Sequence, residues 1–237
     1  MDIALQEVSL AVQGRPILDR ATATIQGGAL TCLLGANGAG KTTLLRILSG
    51  ELKPTSGRIL RGEDDLSSRP QKEIARHFAI VPQGVGDPPH LTVRELVSLS
   101  RFRPARNLWW SLSPQDKEAV AGYIHRCQLE RLADRPVAQL SGGERQRAWL
   151  AFSLAQEKEF LLLDEALDAL DFVARRSFFR LLGDVVAGER GVLLTTHDLG
   201  LATEFATRIV ILNAGRVAYE GPPTADLHKL IGSTVTV

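Results

Sequence analysis

The chain has 237 residues, 44% of them hydrophobic, and a formal charge of +1 from 28 basic and 27 acidic side chains. That length suffices for one large core or a core with a subdomain, and without a long basic run the composition carries no sign of nucleic-acid binding. Apolar runs such as Phe160 to Leu163 fall far short of the roughly 20 residues that span a bilayer. The start Met1-Asp2-Ile3 lacks the basic and apolar stretches of a signal peptide. Cys32 and Cys127 are too few for a disulfide framework, and the five scattered histidines show no metal-ligand spacing. These features point to a soluble cytosolic protein with no membrane span of its own.

In chain order, apolar or β-branched runs fall near Val8 to Val12, Leu30 to Leu34, Ala79 to Val81, Phe160 to Leu163, Val192 to Thr196 and Ile209 to Leu212. Several are continuously apolar, as strands buried on both faces of a parallel sheet are. Helical segments between them give an α/β domain with ligands at the carboxyl ends of strands. The segments before Gly35 read as an antiparallel flank.

Between the second run and a helix over Thr43 to Leu48 lies Gly35-Ala36-Asn37-Gly38-Ala39-Gly40-Lys41-Thr42, a phosphate loop in its required strand-to-helix setting. Glycines let backbone N–H groups turn inward around an oxyanion, and the helix behind adds its positive end. Lys41 reaches the β- and γ-phosphates, and the Thr42 hydroxyl is suited to ligate magnesium. From about Pro88 to Gln156 the signals are helical. Thr92-Val93-Arg94-Glu95 is a capping box, and Ser113-Pro114 sets an N-cap before a first-turn proline. Val120, Tyr123, Ile124 and Cys127 then share one apolar face, read as ordinary core. The expectation is a helical insertion, residues 88–157, within an α/β core formed by 1–87 and 158–237.

Leu140-Ser141-Gly142-Gly143-Glu144 combines a capping box with two glycines that a plain N-cap does not need. Exposed N–H groups at a helix start bind phosphate, so this is a second anion site. Phe160-Leu161-Leu162-Leu163-Asp164-Glu165 is an apolar strand ending in two carboxylates. Asp164 is suited to hold magnesium, and Glu165 to polarise an attacking water.

With these residues in view, the chain resembles the ATP-binding subunits of ABC transporters over essentially its whole length. Gly35–Thr42 resembles Walker A, Phe160–Glu165 Walker B, and Leu140–Gln146 the signature motif. Gln83 in Val81-Pro82-Gln83 matches the Q-loop, Asp171 the D-loop aspartate, and His197 in Thr195-Thr196-His197-Asp198 the switch histidine. Taken singly, Gln83 reads equally as a surface glutamine and His197 as a strand-end histidine. The resemblance implies a RecA-like P-loop NTPase core with an antiparallel β flank and an inserted α-helical subdomain, and an ATP hydrolase that uses ATP and Mg2+. It implies that Gly35, Ala36, Asn37, Gly38, Ala39, Gly40, Lys41, Thr42 and Thr43 hold ATP, completed by Ser141, Gly142 and Gly143 from a second copy in a head-to-tail homodimer. Thr42, Gln83 and Asp164 organise magnesium, Glu165 is the general base, and His197 contacts the γ-phosphate. Lys41, Gln83 and Asp171 join the catalytic set. The implied partners are an integral-membrane permease and a substrate-binding protein, with this subunit peripheral on the cytoplasmic side of the inner membrane.

Two departures stand out. The aromatic that stacks on adenine in the family is absent from Leu10-Ala11-Val12-Gln13-Gly14, so Val12 takes its place and weak discrimination between ATP and GTP is expected. The usual Pro-Thr after the glutamate is Ala166-Leu167, followed by Asp168. That change is expected to loosen the D-loop and slow hydrolysis, with Ala166→Pro plus Leu167→Thr raising turnover. Within the family, Arg145 to Ala151 with Leu154-Ala155-Gln156, and Leu91 to Val97, are similar to the subunits serving ferric-siderophore, heme and cobalamin importers. Trp109-Trp110 before Ser113 is a looser match, and Ser100-Arg101-Phe102-Arg103-Pro104 departs from that group's pattern. The segment from Gln83 to about Trp110 is expected to touch the permease, with Trp109 and Trp110 as anchors or as core. The implied cargo is an iron chelate or a related metal chelate such as cobalamin. Another cargo, or a soluble ABC ATPase such as one for cluster assembly, is the alternative.

Overall fold

The computed structural model describes residues 1–81, 88, 90–102, 112–167, 170–224, 226 and 227. Gln83, Arg103, Pro104, Trp109, Trp110 and Asp168, singled out above, lie outside the described residues.

Two sheets form the frame. The first is antiparallel, in the order β2-β1-β4-β5, from β1 (Ile3–Val12), β2 (Arg15–Ile25), β4 (Ser56–Arg61) and the short β5 (Asp64–Asp65). The second has the order β10-β9-β3-β8-β7-β6, from β3 (Leu30–Leu34), β6 (Phe78–Val81), β7 (Phe160–Leu163), β8 (Gly191–Thr195), β9 (Arg208–Asn213) and β10 (Arg216–Gly221). Its strands run parallel except β10, which pairs antiparallel with β9. Sequential hairpin-like strands thus build the flank, and crossovers build the parallel core.

Alternation along the parallel strands divides the core in two. Leu30, Cys32 and Leu34, with Leu161, Leu163, Val192, Leu194, Ile209 and Ile211, point to one buried cluster. Leu33, Leu162, Leu193, Val210 and Leu212 point to the other. The second cluster is the filling between the two sheets, where α1 (Lys41–Leu48) contributes Leu44, Leu45, Ile47 and Leu48. Each such leucine taken fully out of water contributes about 1.5–3 kcal/mol. The first cluster is covered by α6 (Phe172–Ala187), α7 (Leu199–Phe205) and the helices between β6 and β7.

Those helices are α3 (Val93–Leu99), α4 (Pro114–Arg126) and α5 (Gly142–Leu154), while the short α2 (Gln71–Ile74) precedes β6. Thr92 and Glu95 form the expected reciprocal cap of α3, and Ser113 accepts from Asp116 N–H at the start of α4. Val120, Tyr123, Ile124 and Cys127 are buried together as expected. Sequence reasoning did not foresee what ties these helices to the core. Arg101, just past α3, pairs with Asp116 at 3.0 Å and Glu157 at 2.7 Å and donates to the Ala155 carbonyl. Arg190, just before β8, donates to the Leu154 carbonyl and the Tyr123 hydroxyl. Both fix the C-terminal end of α5, so the orientation of its N-terminal end is set from the core.

Candidate functional site

The phosphate loop leaves the carboxyl end of β3 and enters α1 at Gly40, which is the helix N-cap with φ +103°. No side chain caps α1 and no acid occupies its first turn. Helices α3 to α7, by contrast, are each capped by a side chain, from Thr92, Ser113, Ser141, Asp171 and Asp198 respectively. A helix start without a side-chain cap leaves its first-turn N–H groups open to another acceptor.

The loop is braced from both sheets. A Cβ on Gly40 would lie 2.9 Å from the Ile17 carbonyl oxygen of β2 and 2.9 Å from Leu18 Cδ2, so only glycine fits there. Gly38, also at positive φ, faces open space on the exposed part of the loop. The Gly215 N–H between β9 and β10 donates to the Ala39 carbonyl at 3.1 Å. Lys41 folds back over the loop, its Nζ donating to Gly35 O at 2.9 Å and Ala36 O at 3.2 Å. Ala36, Asn37 and Gly38 are exposed, and Thr42 and Thr43 follow on the first turn of α1.

Across the cleft, β7 delivers its two carboxylates. Asp164 is buried, and its Oδ1 stands 3.3 Å from the Thr42 hydroxyl. Glu165 has φ +46°, a left-handed backbone that costs a non-glycine residue about 1–2 kcal/mol. Its carboxylate Oε1 lies 3.3 Å from His197 Nε2, and the imidazole is exposed. Thr42, Asp164, Glu165 and His197, 155 positions apart at most in the chain, are therefore brought to one place by the parallel order β3-β8-β7.

Thr195, at the end of β8, joins this group unannounced. Its buried hydroxyl is 3.0 Å from Asp164 Oδ1 and accepts the Glu165 N–H at 2.7 Å. The available signal was a polar residue ending the otherwise apolar run Val192-Leu193-Leu194. Arg175 was also missed. It donates to the Leu170 carbonyl at 2.9 Å and to Asp198 at 3.3 Å, linking the segment after β7 to the one carrying His197.

Ser141, Gly142 and Gly143 open α5. Ser141 accepts from Glu144 N–H while Glu144 accepts from Ser141 N–H at 2.9 Å, and that backbone donor holds the Glu144 carboxyl below its ordinary range. Ser141 and Gly142 are exposed, and Gly143 sits beside Leu170 and Ala174. Asp171 caps α6 by accepting the Ala174 N–H at 2.8 Å. Val12 ends β1 half exposed, at 51%. Ala166 and Leu167 are both buried, and the Leu167 carbonyl accepts the Leu170 N–H at 3.0 Å.

Fold and site together define a P-loop nucleotide-binding cassette: a phosphate loop between a parallel strand and an uncapped helix, faced by paired carboxylates and a histidine. Comparison with known proteins bears this out. The family model described as "ABC transporter" matches residues 18–168, more than half of the chain. The probable siderophore transport system ATP-binding protein YusV of Bacillus subtilis (strain 168) is 39% identical, over 98% of this chain and 86% of its own. The hemin import ATP-binding protein HmuV of Rhodococcus jostii (strain RHA1) is 39% identical, over 91% of this chain and 73% of its own. Among solved structures, the dimeric post-hydrolysis state of the ATP-binding cassette MJ0796, bound to ADP and Pi, aligns with a TM-score of 0.80 and 27% identity. That alignment covers 94% of this chain and 99% of that one. The chain belongs to the ABC transporter family, as one of its ATP-hydrolysing transport ATPases.

Proposed function

We propose that this chain powers the import of an iron chelate, a siderophore or heme, through a membrane permease that it serves from the cytoplasmic side. One observation carries the reading: nearly full-length similarity to siderophore and hemin import ATP-binding proteins, on a chain whose hydrolytic side chains converge as above. Among the described residues no helix is long and apolar enough to cross a membrane, so the passage itself falls to another subunit.

ATP binds with its phosphates on the uncapped start of α1, where Lys41 neutralises β- and γ-phosphate charge. The Thr42 hydroxyl and the Asp164 carboxylate, 3.3 Å apart, are hard oxygen donors of the kind magnesium takes. They would hold the ion, with Gln83 as a further ligand, and a bound magnesium supplies neutralisation of phosphate charge. Glu165 takes a proton from the water whose oxygen attacks the γ-phosphorus, while the bond from that phosphorus to the ADP oxygen breaks. His197, donating from Nε2, fixes the Glu165 carboxylate and reaches the γ-phosphate. Ser141, Gly142 and Gly143 close over the nucleotide of a second copy, a role supported by the exposure of Ser141 and Gly142 and by the dimeric relative. Asp171 lies on the same seam and Val12 against the base. Residues 88–157 act as a helical subdomain inserted in the core, and the segment from Gln83 to about Trp110 docks on the permease.

The test is ATP-dependent uptake of iron-loaded siderophore or heme into vesicles carrying this chain, the permease that co-purifies with it and its binding protein. Glu165→Gln is expected to keep ATP binding and abolish both hydrolysis and uptake. Co-purification with soluble partners alone, or uptake of a different cargo class, would overturn the assignment.

A further inference from the structure

We propose that Thr195 is a positioning residue that aims both carboxylates of the hydrolytic site, and so sets divalent-cation affinity and turnover. The inference rests on the reading of Asp164 as metal ligand and Glu165 as base.

The physical case begins with register. Strand β8 lies beside β7 with Leu163 opposite Leu194, so the next residues, Asp164 and Thr195, stand side by side, Asp164 just past the end of β7 and Thr195 closing β8. Both continue the faces of Leu162 and Leu193, which belong to the cluster that holds α1. Thr195 thus reaches the same space as Thr42.

A hydroxyl has one proton and two acceptor lone pairs, and Thr195 uses both functions. It donates to Asp164 Oδ1 at 3.0 Å, in preference to the Leu163 carbonyl at 3.4 Å, and it accepts the Glu165 N–H at 2.7 Å. Its relative exposure is 0%, so water does not compete and the bonds hold a fixed direction. The first bond selects the rotamer of Asp164 in which Oδ1 also faces Thr42. The second holds the peptide of Glu165 in its left-handed conformation, which aims that side chain at His197. Strained backbone of this kind persists only where its surroundings over-determine it. One buried hydroxyl therefore couples the geometry of metal ligand and base, and neither depends on its own rotamer preference.

Thr195→Val preserves the β-branched shape and removes only the hydroxyl. Loss of such supporting partners costs about 10–100-fold in metal affinity or activity. The expected result is a folded protein with unchanged ATP binding in EDTA. Its kcat is lower by about 10–100-fold with little change in KM, and Mn2+ binding, read by electron paramagnetic resonance with a non-hydrolysable ATP analogue, weakens by a similar factor. Thr195→Ser is expected to restore both to near wild type, and Thr195→Ala serves in place of valine if the added methyl disturbs β8. Folded Thr195→Val with wild-type kcat and Mn2+ affinity overturns the proposal, as does Thr195→Ser failing like valine. Glu165→Gln separates the two layers of the argument. Wild-type turnover in that variant would remove the general-base reading, while the Mn2+ measurement would still report on Thr195 and Asp164.

Discussion

Substituting alanine at Gly40 and, separately, at Gly38 isolates the close approach of the phosphate loop to the antiparallel sheet. Both glycines have positive φ, +103° and +78°, so both variants carry the left-handed cost to an alanine of about 1–2 kcal/mol. They differ in room. The Gly38 methyl meets nothing within 4 Å, whereas the Gly40 methyl lies 2.9 Å from the backbone oxygen of Ile17 and from Leu18 Cδ2. Ile17 and Leu18 are held in β2 by its ladder to β1, so relief requires shifting a strand rather than rotating a side chain. Overpacking of that kind adds about 1–3 kcal/mol, for about 2–5 kcal/mol at Gly40 in total. At about 2–4 °C per kcal/mol for a chain of this size, Gly40→Ala is expected to lower Tm by about 10 °C and Gly38→Ala by about 4–5 °C. Thermal unfolding followed by circular dichroism reads the difference, and ATP titration of the two variants reads displacement of the Lys41 and Thr42 N–H groups. Equal melting temperatures for the two variants would refute the reasoning, because backbone conformation alone would then account for both glycines.

Other outcomes follow from the same structure. Leu167→Thr removes a fully buried leucine from the larger core and places an unpartnered hydroxyl there. It is expected to cost about 2–4 kcal/mol in urea unfolding, and a neutral effect would show that the segment is not packed. The Glu144 carboxyl is held below its ordinary value by the Ser141 N–H. Its capping contribution is therefore complete above the unfolded value of about 4.3 and is lost as pH falls through the lower folded value. The Tm gap between wild type and Glu144→Ala should shrink as pH drops from about 5 to about 3, and a constant gap counts against the assignment. Burial pushes the Cys127 thiol up to about 12 and raises that of Cys32 as well. A maleimide at about pH 8 should label neither in the folded protein and both in urea, with rapid native labelling the contrary result.

Much of the fold and site is legible in the chain because the signals are local. A phosphate loop announces itself by glycine spacing between an apolar strand and a helix, and capping boxes at Thr92 and Ser141 are written in four residues each. Continuous apolar runs betray parallel strands buried on both faces, as at Leu30–Leu34 and Phe160–Leu163. Strands of the flank were harder to read, since β2 and β4 mix exposed and buried residues with shifts in register. The division into two clusters, one holding α1 between sheets, depends on which strands become neighbours.

The sequence by itself determined the phosphate loop, the paired carboxylates and the glycine-rich capping box at Ser141, because each is a short pattern with its own chemistry, while His197 stood out only through the family resemblance. Tertiary structure alone decided how they act together. The order β3-β8-β7 brings Thr42 to Asp164 and His197 to Glu165, and it gives Thr195 two carboxylate-bearing residues to hold. It also placed Leu167 in the buried core. Such outcomes rest on contacts between residues some 30 to 120 positions apart, and no local pattern encodes which strand will lie beside which.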